Sequence, residues 1–208
     1  MATKRIIVAV ILVLIAACVT YRLEHRLTPE IRNWYRWHSV LMDTKCPWTK
    51  DGKTEGFLFL RMGPAQQRVY IANFWAYRMP GLRQIYTNRI AVVRGMFRIE
   101  RPGHEHMTDR GQLVLLAGYP DITTTLNSYG EMGSEFDREV WQEWNYLSGS
   151  LDIRYYFKFT YPTEWRTEPA QLEFRSEQRL FENRCRGEFA PTTDGWDAIN
   201  ALSGEGAA

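Results

Sequence analysis

Histidine and cysteine are scarce in this chain, with 4 His and 3 Cys in 208 residues. No Cys-x-x-Cys, His-Glu-x-x-His, Gly-x-Ser-x-Gly or phosphate-binding Gly loop is present, which removes the commonest signatures of redox, metallohydrolase, serine-hydrolase and nucleotide chemistry. Neither Cys46 nor Cys185 has a second Cys or a His at ligand spacing, so a structural zinc site is a poor fit. No cofactor is expected, and an enzyme is the less favoured reading. Net charge is also lacking. The formal charge is +2, and setting aside Lys4 and Arg5 leaves 24 basic residues facing 24 acidic ones. A nucleic-acid partner would call for a basic excess, so none is expected. Lysine is sparse too, 5 against 21 arginines. No Pro/Ser-rich linker, internal repeat or low-complexity tract interrupts the middle. One domain over residues 28–202 is therefore expected, after a leader at 1–20 and before a flexible small-residue tail at 203–208.

What is present begins with the leader. Lys4 and Arg5 precede an uncharged stretch from Ile6 to Tyr21, 16 residues that fall just short of the roughly 17 to 20 needed for a spanning helix. The layout is that of an export signal. Its end, Ile15-Ala16-Ala17-Cys18, resembles the bacterial lipobox, and the resemblance implies acylation of Cys18 as the first mature residue. The competing reading is an uncleaved anchor, with Tyr21 and Arg22 at the interface; Val19 to Arg26 lacks the Gly/Ser tether common after a lipobox. Either reading ties the chain to a membrane through its N-terminus and puts its bulk in the periplasm or outside the cell. In an oxidising compartment Cys46 and Cys185 can pair, and closing so long a loop would stabilise the domain by roughly 4 to 5 kcal/mol under the chain-entropy model.

Aromatic residues are plentiful, 8 Trp, 11 Tyr and 10 Phe, enough to fill a core. The first mature element is expected to be a helix: Thr28 is a suitable N-cap, Pro29 fits the first helical position, and Ile31, Trp34, His38 and Leu41 recur at spacings of three and four. Trp34, Tyr35 and Trp37, with Arg32 and Arg36, suit either lipid headgroups or a core holding Trp34 with Trp37 exposed. Residues 55–62, 68–77, 89–100 and 112–118 read as strands between Gly63-Pro64, Pro80-Gly81 and Pro102-Gly103. A second helix is expected over 134–147, capped by Ser134, with Phe136, Val140, Trp141, Trp144 and Leu147 in one stripe. Strict alternation from Leu151 to Tyr161 marks a half-buried strand, and 171–175 is a shorter one. Residues 178–186 fit strand or helix. These elements add up to an α+β fold with a mainly antiparallel sheet of five or more strands and two flanking helices.

Charge is unevenly spread along the chain. Arg61 to Arg101 holds eight Arg and one Glu, whereas Gly111 to Asp152 holds seven carboxylates and only Arg138. On the expected helix Glu135, Glu139 and Glu143 share a face near Glu131, and an acidic surface of this kind suits a basic partner protein. The same carboxylates with Trp141 and Trp144 suit, alternatively, glycan binding or hydrolysis. His104 and His106, alternating in an extended segment beside Glu105, form the best candidate for a bound metal, against the plainer reading of a solvated loop. The function expected from tether, aromatic domain and acidic segment is binding of another envelope protein, as an accessory component of an assembly or an immunity-type inhibitor of a toxin. An envelope hydrolase and a single-span subunit of a membrane complex are the alternatives.

Overall fold

The structure, a computed structural model, describes residues 24–42, 55–101, 103, 106, 108–128, 139–160, 164–167 and 172–204. Among them are seven helices and one four-stranded antiparallel sheet: α1 (Pro29–Met42), α2 (Glu55–Arg61), α3 (Pro64–Asn73), α4 (Leu82–Met96), α5 (Asp109–Ala117), β1 (Ile122–Ser128), β2 (Glu139–Ser148), β3 (Leu151–Thr160), β4 (Glu164–Thr167), α6 (Leu172–Glu188) and α7 (Thr193–Ser203). The α+β class with antiparallel pairing is as expected. Contacts gather into two compact units, Met1–Pro80 with Pro191–Ala208, and Gly81–Ala190. Among the described residues no helix is long and apolar enough to cross a membrane. The leader with Cys18, and the final residues 205–208, lie outside the described residues.

The first unit is helical and its core is aromatic. α1 starts as expected, with Ile31 N donating to Thr28 Oγ1 at 3.4 Å and Pro29 opening the helix. Ile31, Tyr35, His38 and Leu41 are buried, but so is Trp37, whose expected exposure is a misreading: the inward face of α1 is wide enough to take it. Residues 55–61 and 64–73 are helices, not the expected strands. In α2 five of seven residues are buried, so the helix is apolar nearly all round and its periodicity carried no signal. In α3 Gln67, Tyr70 and the following Phe74 point inward at spacings of three and four, and packing overrides the β propensity of Val69, Tyr70 and Ile71. α7 is capped by Thr192, whose Oγ1 accepts from Gly195 N at 3.2 Å. Gly195 abuts the Tyr77 carbonyl so closely that a Cβ would collide with it.

Within this core Glu55 and Arg78 form a buried bidentate pair, Arg78 donating to Oε1 at 2.6 Å and Oε2 at 2.7 Å. The Tyr70 hydroxyl also donates to Glu55, Arg78 donates to Phe74 O at 2.7 Å, and its guanidinium lies 3.5 Å from the Phe74 ring centroid. A buried carboxylate is tolerated only with such full pairing, and losing one partner strands the other.

The second unit is built on the meander β1-β2-β3-β4. Residues 89–96 and 112–117, expected as strands, lie in α4 and α5, where Tyr86, Val93 and Phe97 turn inward with helical spacing and Leu113 to Leu116 form a run with no period at all. The expected helix over 134–147 is strand β2 from Glu139 onward; Trp144 and Tyr146 are buried while Trp141 and Leu147 lie on the opposite face, a period of two. β2 and β3 join through Gly149-Ser150, with Gly149 at φ +65° in the first loop position, the place a primed hairpin turn reserves for glycine. β3 is as expected: Ile153, Tyr155 and Phe157 are buried. Residues 172–175, expected at the end of a strand, open helix α6.

α5 and α6 pack on the inner face of the sheet. Arg110 of α5 donates to Glu100 and Gln142 and stands amid the rings of Phe97, Trp144 and Trp165 at 5.1, 5.6 and 4.9 Å. Arg89 closes the C-terminal end of α5, donating to Leu115 O at 3.2 Å and Leu116 O at 2.6 Å. The Tyr155 hydroxyl reaches Gln178 O and Glu182 Oε1 of α6.

Candidate functional site

The outer face of the sheet follows from strand alternation. With Trp144, Tyr146, Tyr155 and Phe157 turned in, the register leaves Ile122, Thr124 and Leu126 of β1, Trp141, Glu143, Asn145 and Leu147 of β2, Arg154, Tyr156 and Lys158 of β3 and Arg166 of β4 on the other side. Among the described residues no helix covers this side. Its apolar members are strongly exposed, Leu147 57%, Ile122 48% and Leu126 43%. Leu126 stands directly opposite Trp141, and Ile122, opposite Asn145, is a diagonal neighbour of Leu147.

Charge is threaded between the apolar groups. Arg154 sits opposite Asn145, donates to Asp152 Oδ2 at 2.6 and 3.1 Å, and lies 3.6 Å from Glu143 Oε1. The hydrogen bond that Arg154 donates to Asp152 is the first cause of the upward shift of the Arg154 pKa, so the guanidinium is a fixed positive charge. Lys158 stands opposite Trp141 with its ammonium 5.2 Å from the ring centroid. Both signs, two aromatic rings and three exposed aliphatic side chains therefore share one pleated surface.

No family model, curated protein or solved structure matches the chain. The site rests on geometry alone.

Of the residues singled out in the sequence, Glu143, Trp141 and Leu147 fall on this face, while Trp144 turns to the other side. Glu139 belongs to β2 and not to a helix turn. Glu131 and Glu135 lie outside the described residues. So do Cys46 and His104; Cys185 is buried and forms no disulfide among the described residues, and His106 is buried in a turn. Among the described residues no group of three or more His, Cys, Asp or Glu is arranged to hold a metal. Missed in the sequence were Ile122, Leu126, Arg154, Tyr156, Lys158 and Arg166. The alternation already noted for 151–161 put Arg154, Tyr156 and Lys158 together; reading 140–147 with the same period would have set Trp141, Glu143 and Leu147 beside them.

The most perturbed titratable groups lie in the cores and not on this face. Burial pushes the His38 imidazole down to about 4; its Nδ1–H donates to Trp34 O at 2.8 Å, which acts upward, and Arg78 acts downward. The ring stacks on Trp34 at 4.2 Å between centroids. Burial likewise raises the phenols of Tyr70, Tyr146 and Tyr155, and pushes the Cys185 thiol up to about 11. Such neutral, shielded groups stiffen a core.

Proposed function

We propose that the protein is a membrane-tethered, extracytoplasmic binding protein whose partner is another protein of the bacterial envelope, engaged through the outer face of the sheet. The observation that carries this reading is the exposure of Ile122, Leu126 and Leu147, three large apolar side chains each more than 40% exposed on the one sheet face that also carries Trp141 and Tyr156. Single exposed aliphatics are ordinary on protein surfaces; here they stand at both ends of one pleated face, Leu126 with Trp141 at one and Ile122 with Leu147 at the other, with Glu143 and Arg154 between them, so apolar and charged contacts are offered on a single surface. The export-like leader, with Lys4 and Arg5 before an apolar run ending at Cys18, supports an extracytoplasmic address.

The Glu143, Arg154 and Asp152 network gives register. Charges of this sort select among partners more than they add affinity. A partner surface offering a basic group to Glu143 and apolar pockets to Leu126 and Leu147 is the expected complement.

The test is co-purification from membranes of the native host, comparing wild type with Leu126→Glu, Leu147→Glu and Glu143→Gln. Both leucine variants should lose the partner while keeping the wild-type circular dichroism spectrum and urea midpoint, and Glu143→Gln should retain it with weaker salt dependence. Retention of the same partner by both leucine variants would refute the assignment.

A further inference from the structure

The chain runs on from the leader into residues 24–27, and these are fastened to the first unit. Arg32 of α1 donates its Nε to Glu24 O at 3.3 Å and its Nη2 to His25 O at 2.9 Å and Leu27 O at 3.0 Å. Leu27 N donates to Glu24 O at 3.1 Å, and the Leu27 side chain is buried. This short segment therefore moves with α1. Arg26 stands five positions after Tyr21, the last residue of the uncharged run, and five residues span at most about 18 Å. A leader that ends at a bilayer surface keeps Arg26 near the headgroups.

Arg26 lines a groove of the first unit between the start of α1, the end of α2 and the start of α3, together with Leu27, Leu60, Arg61, Met62 and Pro64. Leu27, Leu60 and Met62 are buried and form an apolar floor, whereas Arg26 and Arg61 are exposed. Among the described residues no carboxylate lines the groove; Glu24 and Glu30, the acids next to Arg26 in sequence, are not part of it. α3 begins at Pro64, so the positive end of its dipole adds to the two guanidinium groups. Arg68, one turn further along α3, brings a third exposed arginine beside them. Positive charge from these sources with no acid on the walls calls for an anion, and the guanidinium fork matches a phosphate. The apolar floor and the short distance to the leader favour a phosphate carried by a lipid over a free one.

We propose that this groove binds the headgroup phosphate of an anionic phospholipid, on Arg26 and Arg61, and so seats this end of the first unit on the bilayer that holds the leader. The inference rests on the membrane-tether reading above and is independent of the protein-binding face.

The experiment places a photoreactive amino acid in the full chain at position 64 and, as control, at position 79, an exposed methionine beyond the C-terminal end of α3. Each protein is purified from membranes of the native host and reconstituted into phosphatidylcholine vesicles with and without phosphatidylglycerol. Irradiation should give a lipid adduct, read by intact mass, from position 64 in the vesicles that contain phosphatidylglycerol, much less in phosphatidylcholine alone, and none from position 79. At limiting phosphatidylglycerol Arg26→Gln and Arg61→Gln should each lower the yield about fivefold, and together about thirtyfold. Their circular dichroism spectra and their flotation with vesicles should be unchanged, because the leader still holds them. Inorganic phosphate added at the same total concentration as the phosphatidylglycerol should leave the adduct in place. A chain that floats but gives no adduct at position 64, equal adducts from positions 64 and 79, undiminished yield in the variants, or loss of the adduct to inorganic phosphate would each overturn the proposal and leave the tether standing. A chain that does not float with vesicles would overturn both.

Discussion

Acidifying the solution from pH 7.5 to 5.0 should weaken the first unit through one side chain, His38. In the native protein its ring is buried, stacked on Trp34, and donates Nδ1–H to Trp34 O. Protonation would put a cation there, out of water and near Arg78, whose partner Glu55 is already committed to it. The folded pKa is therefore depressed to about 4 from 6.5. Because the unfolded chain binds the proton first, stability is complete above pH 6.5 and is lost as pH falls toward the folded value. Between pH 7.5 and 5.0 the loss is about 2 kcal/mol, approaching about 3 kcal/mol below pH 4. Urea unfolding followed by Trp fluorescence at the two pH values, on wild type and His38→Gln, isolates this contribution: whatever the substitution costs at pH 7.5, the variant should lack the additional 2 kcal/mol. Imidazole chemical shifts give the pKa directly. A His38 resonance titrating near 6.5, or equal acid sensitivity in the two proteins, would refute the reasoning.

Other perturbations act on single contacts. Arg110→Ala leaves Glu100, with only 7% of its side chain exposed, without its guanidinium, and should cost about 3 to 5 kcal/mol in urea titrations. Gly195→Ala drives a methyl into the Tyr77 carbonyl and should cost about 1 to 3 kcal/mol, read as a lower melting temperature; an unchanged value would mean that α7 shifts freely. In the reduced chain the Cys185 thiol, pushed up to about 11 by burial, should react with a thiol reagent at pH 7.5 on the order of a hundredfold more slowly than in urea; equal rates would show an open site.

The parts of this fold legible in the sequence are those where local and tertiary preferences agree. Thr28-Pro29 and the spacing of Ile31, His38 and Leu41 announced α1, and the polar-apolar alternation from Leu151 announced β3, because each element has one buried and one wet side. The helices α2 and α5 were hidden for the opposite reason: Leu58-Phe59-Leu60 and Leu113-Val114-Leu115-Leu116 are buried on all sides, and a continuous apolar run fits either period. β2 was obscured by coincidence, since Trp141 and Trp144 stand at helical spacing yet fall on opposite faces of a strand. β1, rich in threonine and largely exposed, carries almost no hydrophobic pattern. The binding face suffered with it. Glu143 was singled out for its charge, but its neighbours Leu126, Arg154 and Tyr156 come together only through cross-strand register.

Site-specific photo-crosslinking in the native host tests the central assignment most directly, with the reactive amino acid placed at positions 126, 147 and 156 of the outer sheet face and at position 180, an exposed leucine on α6, as control. The account predicts one discrete adduct with the same envelope protein from the three sheet positions and none from position 180. Adducts from position 180 alone, or the same diffuse pattern from all four, would contradict it.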